Sequence, residues 1–186
     1  SEHTPEITQG FVDYVAKTAS GAKALYILGD LFDAWIGDDL LDMPHPMTEV
    51  ASRVAGALAT LADSGTAVYL MHGNRDFLIG ERFANACKAR LLPDVQVCEL
   101  HDIPVILMHG DSLCTRDEAY MAFRQQSRDP QWQAQMLALP LDQRLELAKS
   151  LRQQSDSANA DKADEIMDVT AGEVIRVMAE HGVTTL

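Results

Sequence analysis

Three short apolar runs in this chain each end in residues that can hold metal ions. Ala24-Leu25-Tyr26-Ile27-Leu28 leads into Gly29-Asp30. Ala67-Val68-Tyr69-Leu70-Met71 leads into His72-Gly73-Asn74-Arg75-Asp76. Ile103-Pro104-Val105-Ile106-Leu107-Met108 leads into His109-Gly110-Asp111. An aspartate offers a hard anionic oxygen that can bridge two cations. An asparagine offers a neutral carbonyl oxygen, and a histidine a neutral nitrogen. This mixed set suits Mn²⁺, Fe²⁺ or Zn²⁺ better than Ca²⁺ and needs no thiolate. Two such cations about 3.5–4 Å apart can hold a phosphate, activate a water and stabilise a leaving oxygen. Asp30, Asn74 and His109 are therefore the candidate metal ligands. One Gly-Asp after a strand is usually a plain turn; three such ends in this order carry the signal.

Something must bring those ends together. Each run is short, continuous and rich in aliphatic or β-branched residues, which predicts a buried strand. If the three strands share a sheet, their ends lie side by side, at the edge where sheet enzymes collect their chemistry. Helices should separate them. Ile7, Phe11, Tyr14, Val15 and Thr18 have helical spacing, with Gly21 as a stop. Met47, Val50, Val54, Leu58 and Leu61 mark a second helix ending at Gly65, and residues 80–89 a short third. Residues 38–46 are expected to be a loop. Strand and helix thus alternate over the first 110 or so residues, an α/β pattern. From Thr115 onward helical signals dominate. Tyr120 and Phe123 begin one helix, and Pro130 and Pro140 each open another. Thr170 to His181 forms the last, with Gly182 just past its end. Residues 115–167 are expected to be a helical insertion within a single domain.

Composition sets the outer bounds. A chain of 186 residues with 47% hydrophobic and 23% charged residues is long enough for one cored domain. No apolar stretch approaches the roughly 18 residues of a membrane span. A net charge of −13 argues against a general nucleic-acid or anionic-membrane surface. Cys87, Cys98 and Cys114 are odd in number and lack CxxC spacing, so they read as reduced thiols.

Gly29-Asp30, Gly73-Asn74-Arg75-Asp76 and His109-Gly110-Asp111 resemble the central motifs of the calcineurin-like metallophosphoesterases. That family usually carries His after the Asn; here Arg75 stands in its place. With residues 28–39 (LGDLFDAWIGDD), 72–78 (HGNRDFL), 109–115 (HGDSLCT) and 166–169 (IMDV), the departure resembles one branch closely. This is the branch of UDP-2,3-diacylglucosamine diphosphatases of lipid A synthesis. The likeness runs along nearly the whole chain. The family's first motif, Asp-x-His, would lie before Ser1, and its last, Gly-His-x-His, after Leu186. The chain therefore reads as the interior of a longer protein, carrying part of the ligand set.

The resemblance implies a layered αββα sandwich with the helical insertion as a cap. It implies two Mn²⁺ ions on Asp30, Asn74 and His109. The activity implied is hydrolysis of UDP-2,3-diacylglucosamine to UMP and 2,3-diacylglucosamine 1-phosphate, by a metal-held hydroxide attacking the α-phosphorus. Asn74 and Arg75 are the catalytic candidates. The Arg75 guanidinium matches phosphoryl oxygens in shape and meets the charge that grows there. Asn74, Arg75, Asp117, Ser155, Asn159 and Lys162 match substrate-contacting positions. Ser155, Asn159 and Lys162 could share one helical face. Asp76 and Asp111 are expected to orient loops through backbone hydrogen bonds. His72 reads as a packing or orienting residue. An apolar stripe of Trp132, Met136, Leu137, Leu139, Leu141, Leu145 and Leu151 could line an acyl cleft. Arg144, Lys149 and Arg152 nearby could meet anionic headgroups. The implied setting is a monomer in the cytoplasm, peripheral on the inner membrane of a Gram-negative bacterium. Two alternatives stay open: a phosphodiesterase of soluble nucleotides, and a degenerate scaffold that binds without catalysis.

Overall fold

The structure is a computed structural model that describes residues 5–160 and 164–186. The chain divides into two compact units, residues 1–92 and 93–186.

The first unit is built on parallel strands joined through helices. Its elements are α1 (Pro5–Lys17), β1 (Ala24–Ile27), α2 (Pro46–Asp63), β2 (Ala67–Leu70), α3 (Glu81–Ala86) and β3 (Ala89–Leu91). The strand order is β1-β2-β3, with both pairs parallel. Parallel neighbours need a crossover, and α2 and α3 supply it. In the register, Ile27 stands opposite Leu70, so the chain leaves β1 and β2 at the same edge. The bond from the Met71 N–H to the Ile27 carbonyl, 2.9 Å, carries that pairing one step further. Tyr26 and Tyr69, paired in register, stack with ring centroids 4.8 Å apart.

α2 shows why the sequence folds this way. Its buried residues are Ala51, Val54, Ala55, Leu58 and Leu61, one face of a 3.6-residue repeat. Pro46 sits in its first turn, and the His45 side chain caps it by accepting from the Met47 N–H. Gly65, with φ 101°, follows its end as expected. Two expectations need correction here. β1 is half-buried along its length rather than buried, because it is an outer strand paired only with β2 among the described residues. Residues 38–42 form a 3-10 helix rather than a loop, and Leu40 on it is fully buried.

The second unit starts with a hairpin of β4 (Val95–Leu100) and β5 (Ile103–Met108). Its two-residue turn is His101-Asp102, with φ 53° and 63°. Positive φ at both positions matches the right-handed twist of paired strands. This corrects the expectation of a single sheet: the third apolar run, as β5, pairs antiparallel with β4 in a sheet of its own. The tight turn folds it back onto residues too polar to announce a strand. Helices α4 (Glu118–Ser127), α5 (Pro130–Leu137), α6 (Leu141–Ala160), α7 (Asp164–Met167) and α8 (Ala171–His181) follow. Ile106, Met108, Leu113, Val177 and Val183 form this unit's core cluster. The mix of parallel sheet and helices, with an antiparallel pair, is the α/β class expected.

Leu58 is wholly buried, so Leu58→Ala should cost about 2–5 kcal/mol of stability. Urea unfolding of the full-length protein, followed by circular dichroism, would read the loss as a lower midpoint with an unchanged slope.

Candidate functional site

The loops after β1 and β2 are laced together by side chains of the motif itself. Asp30 holds φ 53°, a left-handed conformation that aspartate tolerates better than most residues. Its carboxylate accepts from the Arg75 backbone N–H at 3.0 Å. The backbone of Gly73 passes directly against it, and a Cβ there would collide with the Asp30 carboxylate. Only glycine permits that approach.

Asp76 closes the arrangement. It is fully buried, and its two oxygens accept from the Gly73 N–H and the Leu31 N–H, each at 2.7 Å. One carboxylate thus ties the residue after Asp30 to the residue before Asn74. Burial pushes its carboxyl above the usual value, with the Gly73 and Leu31 N–H groups pulling the other way. This is the backbone-orienting role expected of Asp76. Asp111 works differently. It is half-buried under side chains, accepting from the Tyr120 hydroxyl at 2.6 Å and from Arg124 Nε at 3.0 Å. Burial acts to raise its carboxyl, but Tyr120 and Arg124 overcome this and hold it below its ordinary 3.8.

Asn74 places the end of its amide 2.8 and 3.0 Å from the two Asp30 oxygens. With the nitrogen turned inward, the amide donates to both. With the oxygen turned inward, three oxygens converge at the spacing of donors around one hard cation. Asp30 and Asn74 therefore fit a cation as an oxygen pair. Among the described residues, no three or more His, Cys, Asp or Glu side chains gather as a metal nest. Asp30 and Asn74 contribute one such residue and one amide. His109 lies in the second unit, directly after β5.

The Arg75 side chain is 43% exposed, with Nε 3.6 Å from Asp30 Oδ2 and Nη1 3.8 Å from Asp33 Oδ1. Its backbone is fixed on both sides, since its carbonyl also accepts from the Trp35 N–H at 3.1 Å. Sequence reasoning missed Asp33 and Trp35 as neighbours of Arg75. Their place in the run after Gly29-Asp30 was the available signal. His72 donates from Nε2 to the Ile79 carbonyl at 2.7 Å, an orienting role for its own loop.

Of the expected substrate contacts, Asn74 and Arg75 belong to the first unit, and Asp117, Ser155 and Asn159 to the second. Asp117 is buried and caps α4, accepting from the Tyr120 N–H at 3.1 Å. Ser155 is exposed on α6. The side chain of Asn159 and all of Lys162 lie outside the described residues. Of the apolar stripe, Trp132, Met136, Leu139, Leu141, Leu145 and Leu151 are half-buried and Leu137 is 43% exposed. Arg144 is buried, so it cannot be one of the headgroup contacts expected of it. Lys149 is exposed and pairs with Glu146, and Arg152 is exposed.

Comparison with known proteins agrees with these motifs. UDP-2,3-diacylglucosamine hydrolase of Chromohalobacter salexigens is 58% identical over 182 residues, covering 98% of this chain and 72% of the relative. The enzyme of that name in Cellvibrio japonicus is 52% identical, covering 98% and 73%. This chain belongs to the UDP-2,3-diacylglucosamine hydrolase family. The same name attaches to a Pseudomonas aeruginosa relative, 50% identical over 182 residues. No family model matches the chain. Membership bears out the resemblance read from the Gly-Asp, Gly-Asn-Arg-Asp and His-Gly-Asp motifs.

Asp111 supplies a pH-dependent prediction. Its folded value lies below the unfolded one, so its stabilisation is full above about pH 3.8 and fades as pH falls through the folded value. Asp111→Asn should therefore cost about 1–3 kcal/mol at pH 7. In urea titrations at several pH values, the gap from wild type should narrow below about 3.8. A gap that widens there would contradict the assignment.

Proposed function

We propose that this chain carries part of the catalytic centre of a metal-dependent hydrolase of UDP-2,3-diacylglucosamine. The products are UMP and 2,3-diacylglucosamine 1-phosphate. The observation that carries the reading is the Asp30, Asn74 and Arg75 cluster, laced across two adjacent parallel strand ends. Family membership supplies the substrate.

Asp30 and Asn74, with His109, are the residues of this chain that would hold two Mn²⁺ ions. Those cations, when bound, supply Lewis acidity toward the phosphoryl oxygens and an acidified water. The rest falls to the protein. Arg75 is the cation for the α-phosphoryl group. Its backbone is pinned at both N–H and carbonyl, while its guanidinium rests near Asp30 and Asp33 at distances that let it turn to substrate. A fixed positive charge there helps most as negative charge grows in the transition state. Asp76 keeps the loops of Asp30 and Asn74 in register with one another. Asp117, Ser155, Asn159 and Lys162 are the proposed contacts to the sugar and diphosphate.

The half-buried stripe on α5 and α6 supports a cleft for acyl chains, since α5 buries no residue completely. Among the described residues, no helix is long and apolar enough to cross a membrane. Peripheral attachment at the cytoplasmic face of the inner membrane, as a monomer, fits a glycolipid substrate handled by a chain with exposed Arg152 and Lys149.

The test is UMP release from UDP-2,3-diacylglucosamine by the full-length protein, with and without Mn²⁺. Chelation should abolish turnover and Mn²⁺ should restore it. Asn74→Ala and Arg75→Ala should each lower kcat by roughly 10²–10³-fold while the circular dichroism spectrum is kept. Turnover of short soluble diesters, with none of the glycolipid, would overturn the substrate assignment.

A further inference from the structure

Asp38 lies eight residues beyond Asp30, outside the cluster that touches the proposed metal and phosphate positions. Yet its carboxylate is unusually well used. Oδ1 accepts from the Trp35 indole N–H and from the Gly80 backbone N–H, each at 2.9 Å. Oδ2 accepts from the Phe83 backbone N–H at 2.9 Å. Gly80 is what lets the carboxylate in: a Cβ there would sit 2.8 Å from Oδ2.

Trp35 carries the connection onward. Its ring is almost fully buried between Phe32 and Phe83, with centroids 4.8 and 4.7 Å away. Its indole is fixed by Asp38. Its backbone N–H donates to the Arg75 carbonyl at 3.1 Å. A residue locked at ring, indole and backbone has little freedom to shift, and Arg75 inherits that rigidity. Across the loops, the path runs from the start of α3 through Asp38 and Trp35 to the backbone of Arg75.

We infer that Asp38 is a positioning residue for the reaction, acting through Trp35 to fix the backbone from which the Arg75 guanidinium reaches the substrate. The inference rests on the role given to Arg75 above. A carboxylate is required because all three partners are donors. An amide in its place can accept at only one atom and turns its own N–H₂ toward a donor. The fold has a second tie between these segments, the paired bonds of Arg82 to both oxygens of Asp42 at 2.6 Å. Loss of Asp38 should thus loosen the aim of Arg75 more than it loosens the fold. Small misplacements of a group that acts in the transition state are costly in rate.

The experiment is a double-mutant cycle on the full-length, Mn²⁺-loaded protein. Asp38→Asn, Arg75→Ala and the double variant are compared with wild type by kcat and KM for UMP release, per folded molecule. Asp38→Asn should lower kcat about tenfold or more with a smaller change in KM. In the Arg75→Ala background the same substitution should cost almost nothing, because the group it aims is gone. Trp35→Phe, which keeps a packed ring and removes the indole donor, should reproduce part of the loss. It replaces Asp38→Asn in the cycle if that variant does not fold. An equal fold-loss in both backgrounds, or a lowered melting temperature with unchanged kcat, would overturn the inference. Near wild-type turnover by Arg75→Ala alone would remove the role of Arg75, and the inference with it. That result is distinguishable because it appears in the single variant.

Discussion

The buried carboxylate of Asp76 is the constraint on which the site of the first unit depends. Two loops leave adjacent strands carrying groups that would otherwise repel, since Asp30 and Asp76 are both acidic and close in space. Asp76 adds to that repulsion: burial and the Asp30 charge both act to raise its carboxyl. Backbone N–H groups from Gly73 and Leu31, one from each loop, offset this only in part. A buried charge without such partners would cost several kcal/mol. The two loops are therefore held at one separation, and Asp30 and Asn74 with them. The close passage of Gly73 over Asp30 follows from the same geometry.

Around that anchor, the unit spends its polar groups on the loops and its apolar groups on the layer beneath. α2 buries a continuous face, and Phe32, Trp35 and Phe83 form an aromatic knot below the loop after β1. The knot makes the loop rigid although it has no regular ladder of hydrogen bonds. A net charge of −13 would by itself repel a phosphate ester. The answer is local. Arg75 is placed at the strand ends, and the acidic groups beside it are those that suit cations. In the second unit Asp111 plays the structural part, collecting Tyr120 and Arg124 from α4 at the start of the helical region.

Much of the fold was legible because hydrophobic periodicity is a local property. The helices α1, α2, α5 and α8 lie where apolar spacing, Pro and Gly place them. β3 and β4 were not legible, because Arg90, Gln96 and Glu99 interrupt any apolar run. They are strands because of their neighbours: Val68 and Leu70 pair with Ala89 and Leu91, and β5 pairs with β4. The 3-10 turn at residues 38–42 was hidden for a similar reason, since Leu40 is drawn into a core assembled from distant segments.

The candidate site divides along the same line. Sequence alone determined the identities of Asp30, Asn74, Arg75 and His109, because an oxygen, an amide, a guanidinium and an imidazole are chemical facts of the chain. Their order at three strand ends also determined the family. Only the tertiary structure decided how Asp30 and Asn74 face one another, which backbone groups Asp76 holds, and that Asp38 reaches Arg75 through Trp35. It also decided that Asp111 binds side chains rather than backbone and that Arg144 is buried. Motifs report what a residue can do within a few positions of itself. Hydrogen bonds between residues 42 or 45 apart exist only once strand pairing has brought two loops together.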